Sequence, residues 1–174
     1  DTKVCFLESI SNPTLEVIDI KNVSKIAHAN GAMVVVDNVF ATPVFQQTFN
    51  LGADVVIYSA TKHIDGQGRC LGGVVLGSRE FIKGPLQTYL KHTGAAMSPF
   101  NAWVMLKGLE TLALRCEAQA TTSEFLTREL VGNAALEKVI YPFAEGHPQR
   151  DIAKVQMERG GTVITLVLKG GKKA

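Results

Sequence analysis

Two short apolar runs end abruptly in polar, reactive side chains, and this layout narrows the possible folds more than any other feature. Residues 32–36 read Ala-Met-Val-Val-Val and stop at Asp37, while residues 55–58 read Val-Val-Ile-Tyr and lead into Ser59-Ala60-Thr61-Lys62. A run of β-branched residues without polar alternation marks a strand covered on both faces, as in parallel sheets flanked by helices. Residues 4–7 fit a further strand. Between it and the run at 32–36, Asp19 offers a helix N-cap, Ile20, Val23, Ile26 and Ala27 recur at helical spacing, and Asn30-Gly31 supplies a stop. Residues 73–76, after a glycine-rich loop, read as another strand. In open α/β sheets ligands bind beyond the carboxyl ends of the strands, so Asp37 and residues 59–62 are expected to face one crevice.

From Ser78 onward the pattern changes to long helices over residues 80–91, 101–115 and 117–130, with Leu106, Leu109, Leu112 and Ala113 as an apolar stripe. A Pro- and Gly-containing connection over 141–148 leads to a helix at 152–158 and a strand at 162–168. A lone strand needs a partner, and residues 169–174 read as a turn, with Lys172 and Lys173 in a solvated tail. A buried-type strand near residue 1 and an unpartnered one near the end are expected of a segment cut from a longer chain. No internal repeat is present.

Composition removes several alternatives. Charged residues make up 20% and the net charge is +2, which gives no electrostatic footprint for nucleic acid or an anionic membrane. There is no run of eighteen apolar residues and no signal-peptide layout, so a soluble, cytoplasmic protein is expected. The three cysteines, Cys5, Cys70 and Cys116, are widely spaced and read as reduced thiols, and the four histidines lack metal-ligand spacing. No metal is expected.

The chemistry centres on Lys62. An amine forms an imine only when neutral, and desolvation in a pocket favours that state. Ser59 and Thr61 at the strand end offer hydroxyls suited to a phosphate, and Gly66, Gly68, Gly72 and Gly73 permit close backbone approach. Asp37 supplies the acid that keeps a pyridine nitrogen protonated and the ring an electron sink. Taken singly these features are bland: Ser-x-Thr-Lys is ordinarily a solvated turn, and Asp after a strand a helix cap. Neither a Walker sequence nor the third spaced glycine of a dinucleotide fingerprint is present, which argues against a nicotinamide enzyme using Asp37 on a ribose.

A longer match decides between these readings. Residues 54–68, Asp-Val-Val-Ile-Tyr-Ser-Ala-Thr-Lys-His-Ile-Asp-Gly-Gln-Gly, resemble the cofactor-attachment signature of the Cys/Met-metabolism family of pyridoxal-phosphate (PLP) enzymes. Glu8-Ser9-Ile10-Ser11-Asn12-Pro13, Val35-Val36-Asp37-Asn38, residues 94–100, Gly108-Leu109-Glu110-Thr111-Leu112 and Tyr141-Pro142 follow in family order. His63 departs from the family, which more often has an aromatic residue or glutamine there. With residues 64–70 it is most similar to the O-succinylhomoserine sulfhydrylase branch.

The resemblance implies an α/β chain of PLP-dependent fold type I, with a central, mostly parallel sheet, helices on both faces, and the start of a smaller α+β domain. Residues 1–116 would be the C-terminal part of the large PLP-binding domain with its connecting helix, and 117–174 the start of the small domain. It implies that Lys62 carries PLP as a Schiff base and shuttles protons, Asp37 holds the pyridinium, Ser59 and Thr61 bind the phosphate, and Asn12 bonds the phenolic oxygen. The implied reaction is γ-replacement on O-succinylhomoserine, or another O-acylhomoserine, by sulfide to give homocysteine. The alternatives are γ-elimination, or an inert fragment of such an enzyme. A small amino-acid substrate is expected, with no nucleic-acid or membrane partner and a homotetramer built from dimers. The family's ring-stacking tyrosine and carboxylate-binding arginine lie outside the matched motifs.

Overall fold

The computed structural model describes residues 1–171, and the Lys172-Lys173 tail expected from sequence lies outside them. The elements in order are β1 (Val4–Glu8), α1 (Ile20–Ala29), β2 (Met33–Asp37), α2 (Thr42–Phe45), a 3-10 turn (Thr48–Leu51), β3 (Val55–Ser59), β4 (Gly73–Gly77) and α3 (Arg79–Phe81). A π-helical turn (Ile82–Leu86) follows, then α4 (Gln87–Thr93), α5 (Pro99–Leu109), α6 (Leu112–Leu130), β5 (Leu136–Ile140), α7 (Arg150–Gln156) and β6 (Thr165–Leu168). None of the described helices is long and apolar enough to cross a membrane.

Strands β1, β2 and β3 pair in parallel, and β4 closes the four-stranded sheet antiparallel to β3. The sheet with its helices is the α/β arrangement expected. Val34, Val36 and Val56 are fully buried against Ile20 and Ala27 of α1. The opposite face, bearing Val4 and Phe6, is more open, with Phe6 61% exposed.

Helix α1 starts where Asp19 accepts the Asn22 N–H at 3.0 Å and ends before Gly31, whose φ of 70° is open to glycine without strain. Its buried face is Ile20, Ser24 and Ala27, and not the Ile26 expected from sequence, which is 62% exposed. Space explains the choice: a Cβ at Gly52 would lie 2.7 Å from the Ser24 Cβ, so only a small residue fits there.

Four other expectations are corrected. Residues 80–91 do not form one regular helix, because Pro85 has no N–H and its ring crowds the preceding turn, and the backbone widens to the π turn around it. The helices expected at 101–115 and 117–130 instead break at Glu110-Thr111, and α6 runs unbroken through residue 116. At the break the Arg115 guanidinium takes the Gly108 carbonyl at 2.7 Å and the Thr111 hydroxyl at 3.0 Å. The expected stripe is not the packed face: Leu106, Leu109 and Ala113 are exposed, while Val104, Met105 and Gly108 are buried. Lastly, β6 has a partner within the chain, the antiparallel β5, and begins three residues later than expected.

A second apolar cluster joins distant parts of the chain. Ile10, Leu15, Val17 and Ala41 pack with Ala153 and Met157. The Gln156 side chain accepts the Ile20 N–H at 3.3 Å and donates to the Ile18 carbonyl at 2.6 Å, and Thr165 donates to the Pro13 carbonyl at 2.7 Å. Arg159 pairs with Glu117 and Glu124 of α6 and lies over the Phe45 ring.

Because Val36 is fully buried between α1 and the neighbouring strands, Val36→Ala is expected to lower stability by about 2 kcal/mol. Urea unfolding should show this as a fall in midpoint at an unchanged slope.

Candidate functional site

The carboxyl ends of β1, β2 and β3 lie side by side. Glu8 sits opposite Asp37 in register, and Asp37 opposite Ile57. Side chains two residues apart on a strand share a face, so Glu8, Asp37, Ile57 and Ser59 point the same way. Beyond this edge lies a cavity of about 140 Å3 whose polar lining is Glu8, Asn12, Asp37, Ser59 and Lys62. Ile10, Val39 and Phe40 give it an apolar wall.

Asp37 ends the buried strand. Its Oδ1 accepts the Val39 N–H at 3.1 Å, and none of the ion pairs among the described residues involves it. Burial pushes its carboxyl above the usual carboxylate range, the Val39 bond opposes this, and the neighbouring Glu8 carboxylate adds to it. A half-buried carboxylate beside a second one, with no cation in contact, is stabilised by any positively charged N–H donor that enters the cavity. A protonated pyridine nitrogen is such a donor, the apolar wall suits a flat ring, and Lys62 supplies an amine. On these grounds the residues present fit PLP.

Lys62 sits in the turn that leaves β3. Its N–H reaches the Ser59 carbonyl at 3.1 Å, and its carbonyl accepts the Gly66 N–H at 2.7 Å. Asp65, fully buried, accepts from the Arg69 backbone N–H at 2.6 Å and from Arg69 Nε at 2.8 Å, which fixes the glycine-containing loop behind the lysine. Burial alone would raise the Asp65 carboxyl, but the bonds from Arg69 hold it below the usual range.

Four of the five residues singled out from sequence, Asn12, Asp37, Ser59 and Lys62, therefore meet at one cavity. Thr61 does not line it. The Thr61 hydroxyl accepts the Gly72 N–H at 3.1 Å and points its own proton at the Gly72 carbonyl over a long 3.4 Å. Glu8 is a lining residue that the sequence motifs do not mark, although it ends β1 as Asp37 ends β2, a parallel that signals it. Its Oε2 accepts the Asn12 N–H at 3.0 Å, so it also shapes the Asn12 side of the cavity.

Residues 1–174 match the family described as "Cys/Met metabolism PLP-dependent enzyme". The chain is similar to an O-succinylhomoserine sulfhydrylase of Mycobacterium tuberculosis, with 55% identity over 96% of this chain and 41% of that protein. It is also similar to one of Pseudomonas aeruginosa, with 47% identity over 100% of this chain and 43% of that protein. The crystal structure of an apo methionine gamma lyase from Micromonospora echinospora superposes with a TM-score of 0.94 at 36% identity, covering 97% of this chain and 46% of that one. The chain thus spans less than half the length of the relatives it matches. Sequence, fold and comparisons agree that it belongs to the Cys/Met-metabolism family of PLP-dependent enzymes.

Proposed function

We propose that the enzyme containing this chain replaces the γ-substituent of O-succinylhomoserine, or another O-acylhomoserine, with sulfide to give homocysteine. The observation that carries the cofactor part of the proposal is that Lys62 and Asp37, which forms none of the ion pairs among the described residues, line one cavity on the sheet edge. Support for the substrate class comes from the relatives in Mycobacterium tuberculosis and Pseudomonas aeruginosa, both named O-succinylhomoserine sulfhydrylase. A second reading, γ-elimination, is favoured by the superposition on a methionine gamma lyase. The two differ in product: homocysteine when sulfide adds, a 2-oxo acid and ammonia when nothing adds.

When bound, PLP supplies an electron sink for negative charge that develops on substrate carbon. Lys62 would hold the group covalently through Nζ, and the same amine would take and return protons there. Asp37 would face the ring nitrogen as a fixed counter-ion, Asn12 would donate to the phenolic oxygen, and Ser59 would bind the phosphate. Thr61, whose hydroxyl faces Gly72 and does not line the cavity, would join Ser59 after giving up the long bond to the Gly72 carbonyl. We further propose a division into residues 1–116 of the large domain and 117–174 of the small one, and a cytoplasmic homotetramer of dimers. The family resemblance supports both.

Borohydride reduction of the holoenzyme and peptide mapping should place the pyridoxyl label on Lys62. Lys62→Ala should lower homocysteine formation by about 10²–10⁴-fold. A label on Lys83 or Lys91 with Lys62 unmodified would overturn the assignment.

Asp37 makes two opposed predictions. Its folded carboxyl titrates above its unfolded value, so between the two the folded protein keeps a proton that the unfolded chain has lost. Stability contributed by the protonated form is therefore lost as pH rises through that window. In the cofactor-free protein, Asp37→Asn should raise Tm at neutral pH and leave it nearly unchanged well below the window. In the holoenzyme the same substitution should cut turnover by about a hundredfold or more. A lower Tm at neutral pH would show that Asp37 has a stabilising partner in the folded chain.

A further inference from the structure

The turn that carries Lys62 is held by a side chain with no place in the cavity. Arg115, in the first turn of α6, sends Nη1 to the His63 carbonyl at 2.8 Å and Nη2 to the Gly108 carbonyl at 2.7 Å, with the Ile64 carbonyl at 3.5 Å. Its Nε donates to the Thr111 hydroxyl at 3.0 Å. All three nitrogens are thus engaged within the chain. Arg115 forms none of the ion pairs among the described residues, and its guanidinium donates to three carbonyls and one hydroxyl.

The surroundings are shaped around this contact. A Cβ at Gly66 would lie 2.0 Å from Arg115 Nη1, and one at Gly108 would lie 2.1 Å from the Ile64 carbonyl oxygen. Glycine is required on both sides for helix and turn to come this close, and Gly66 also has a φ of 75°. The turn is held from a second direction by His63, whose Nε2 lies 3.0 Å from the Thr162 hydroxyl. Of residues 60–66, Lys62 is the one that lines the cavity.

We propose that Arg115 is a positioning residue: it fixes the peptide turn from which Lys62 reaches the cofactor and so sets the lysine amine relative to Asp37. The proposal rests on Lys62 being the cofactor-bearing lysine. A planar guanidinium can serve carbonyls in several directions at once, whereas an ammonium on a flexible stem can hold them only loosely. A reacting group displaced by about 1 Å can cost a hundredfold in rate. The device also ties the lysine to the break between α5 and α6, so the start of α6 and the cofactor attachment move as one.

The test compares Arg115→Lys and Thr111→Val with the parent holoenzyme. Thr111→Val is close in shape and removes the acceptor of Nε together with the long 3.5 Å hydroxyl bond to the Gly108 carbonyl, so it keeps the test alive if the arginine variant does not fold. Four readouts are taken: the site of borohydride labelling, the visible circular dichroism and pH titration of the bound chromophore, amide exchange of residues 60–66, and kcat separately from KM. The expected result for Arg115→Lys is a label still on Lys62, weakened visible dichroism, a shifted titration midpoint, faster exchange at 60–66, and kcat down by about a hundredfold with KM little changed. Thr111→Val should move each in the same direction, more weakly. A lowered Tm with dichroism, titration midpoint and exchange at 60–66 as in the parent would overturn the proposal and leave Arg115 as a helix-end brace. A label on another lysine in the parent enzyme would overturn the reading of Lys62, and the positioning role with it.

Discussion

The parallel backbone ladder of β1, β2 and β3 sets the geometry on which everything else in this chain depends. Hydrogen bonding in that ladder puts Glu8 opposite Asp37 and Asp37 opposite Ile57, and the two-residue pleat then brings Ser59 to the same face. A slip of one residue in β2 would turn Asp37 into the core and Val36 out of it. Register is secured by the full burial of Val34, Val36 and Val56, three side chains that do not line the cavity. The polar end of the sheet is therefore positioned by its apolar middle.

This arrangement carries a cost that the core offsets. Two carboxylates, Glu8 and Asp37, stand side by side at the strand ends with no cation in contact, a placement that raises the Asp37 carboxyl and opposes folding of the ionised form. The same placement suits a cavity that must attract and hold a protonated ring nitrogen. Tension between stability and function is thus concentrated at one strand end, while the loop behind Lys62 is tightly satisfied by the Asp65–Arg69 pair.

How legible each feature is in the sequence follows from how local its cause is. Strands β2 and β3 can be read directly, because β-branched runs ending in Asp37 and Ser59 need no distant information, and the Asp19 cap is equally local. Strand β5 is not legible: its Leu-Glu-Lys-Val-Ile order fails to alternate because the pairing with β6 shifts between Leu136 and Lys138, and a bulge spoils the period of two. The α5–α6 break at Glu110-Thr111 and the burial of Ser24 are also hidden, since each depends on a partner elsewhere, the Lys62 turn in one case and Gly52 in the other. At the site, Lys62 and Asp37 stand out through residue type and strand position. The inward turn of the Thr61 hydroxyl towards Gly72 depends on the returning loop and could not be read from Ser-Ala-Thr-Lys.

The cluster that joins Ile10, Leu15, Val17 and Ala41 to Ala153 and Met157 bears on how the protein emerges from the ribosome. The Ile20 N–H waits for the side chain of Gln156, which is 136 residues away. At about 5–20 residues per second, that delay is on the order of ten seconds. During it the β1–β3 ladder can pair, while Ile10, Leu15, Val17 and Ala41 lack the cover that Ala153 and Met157 later give them.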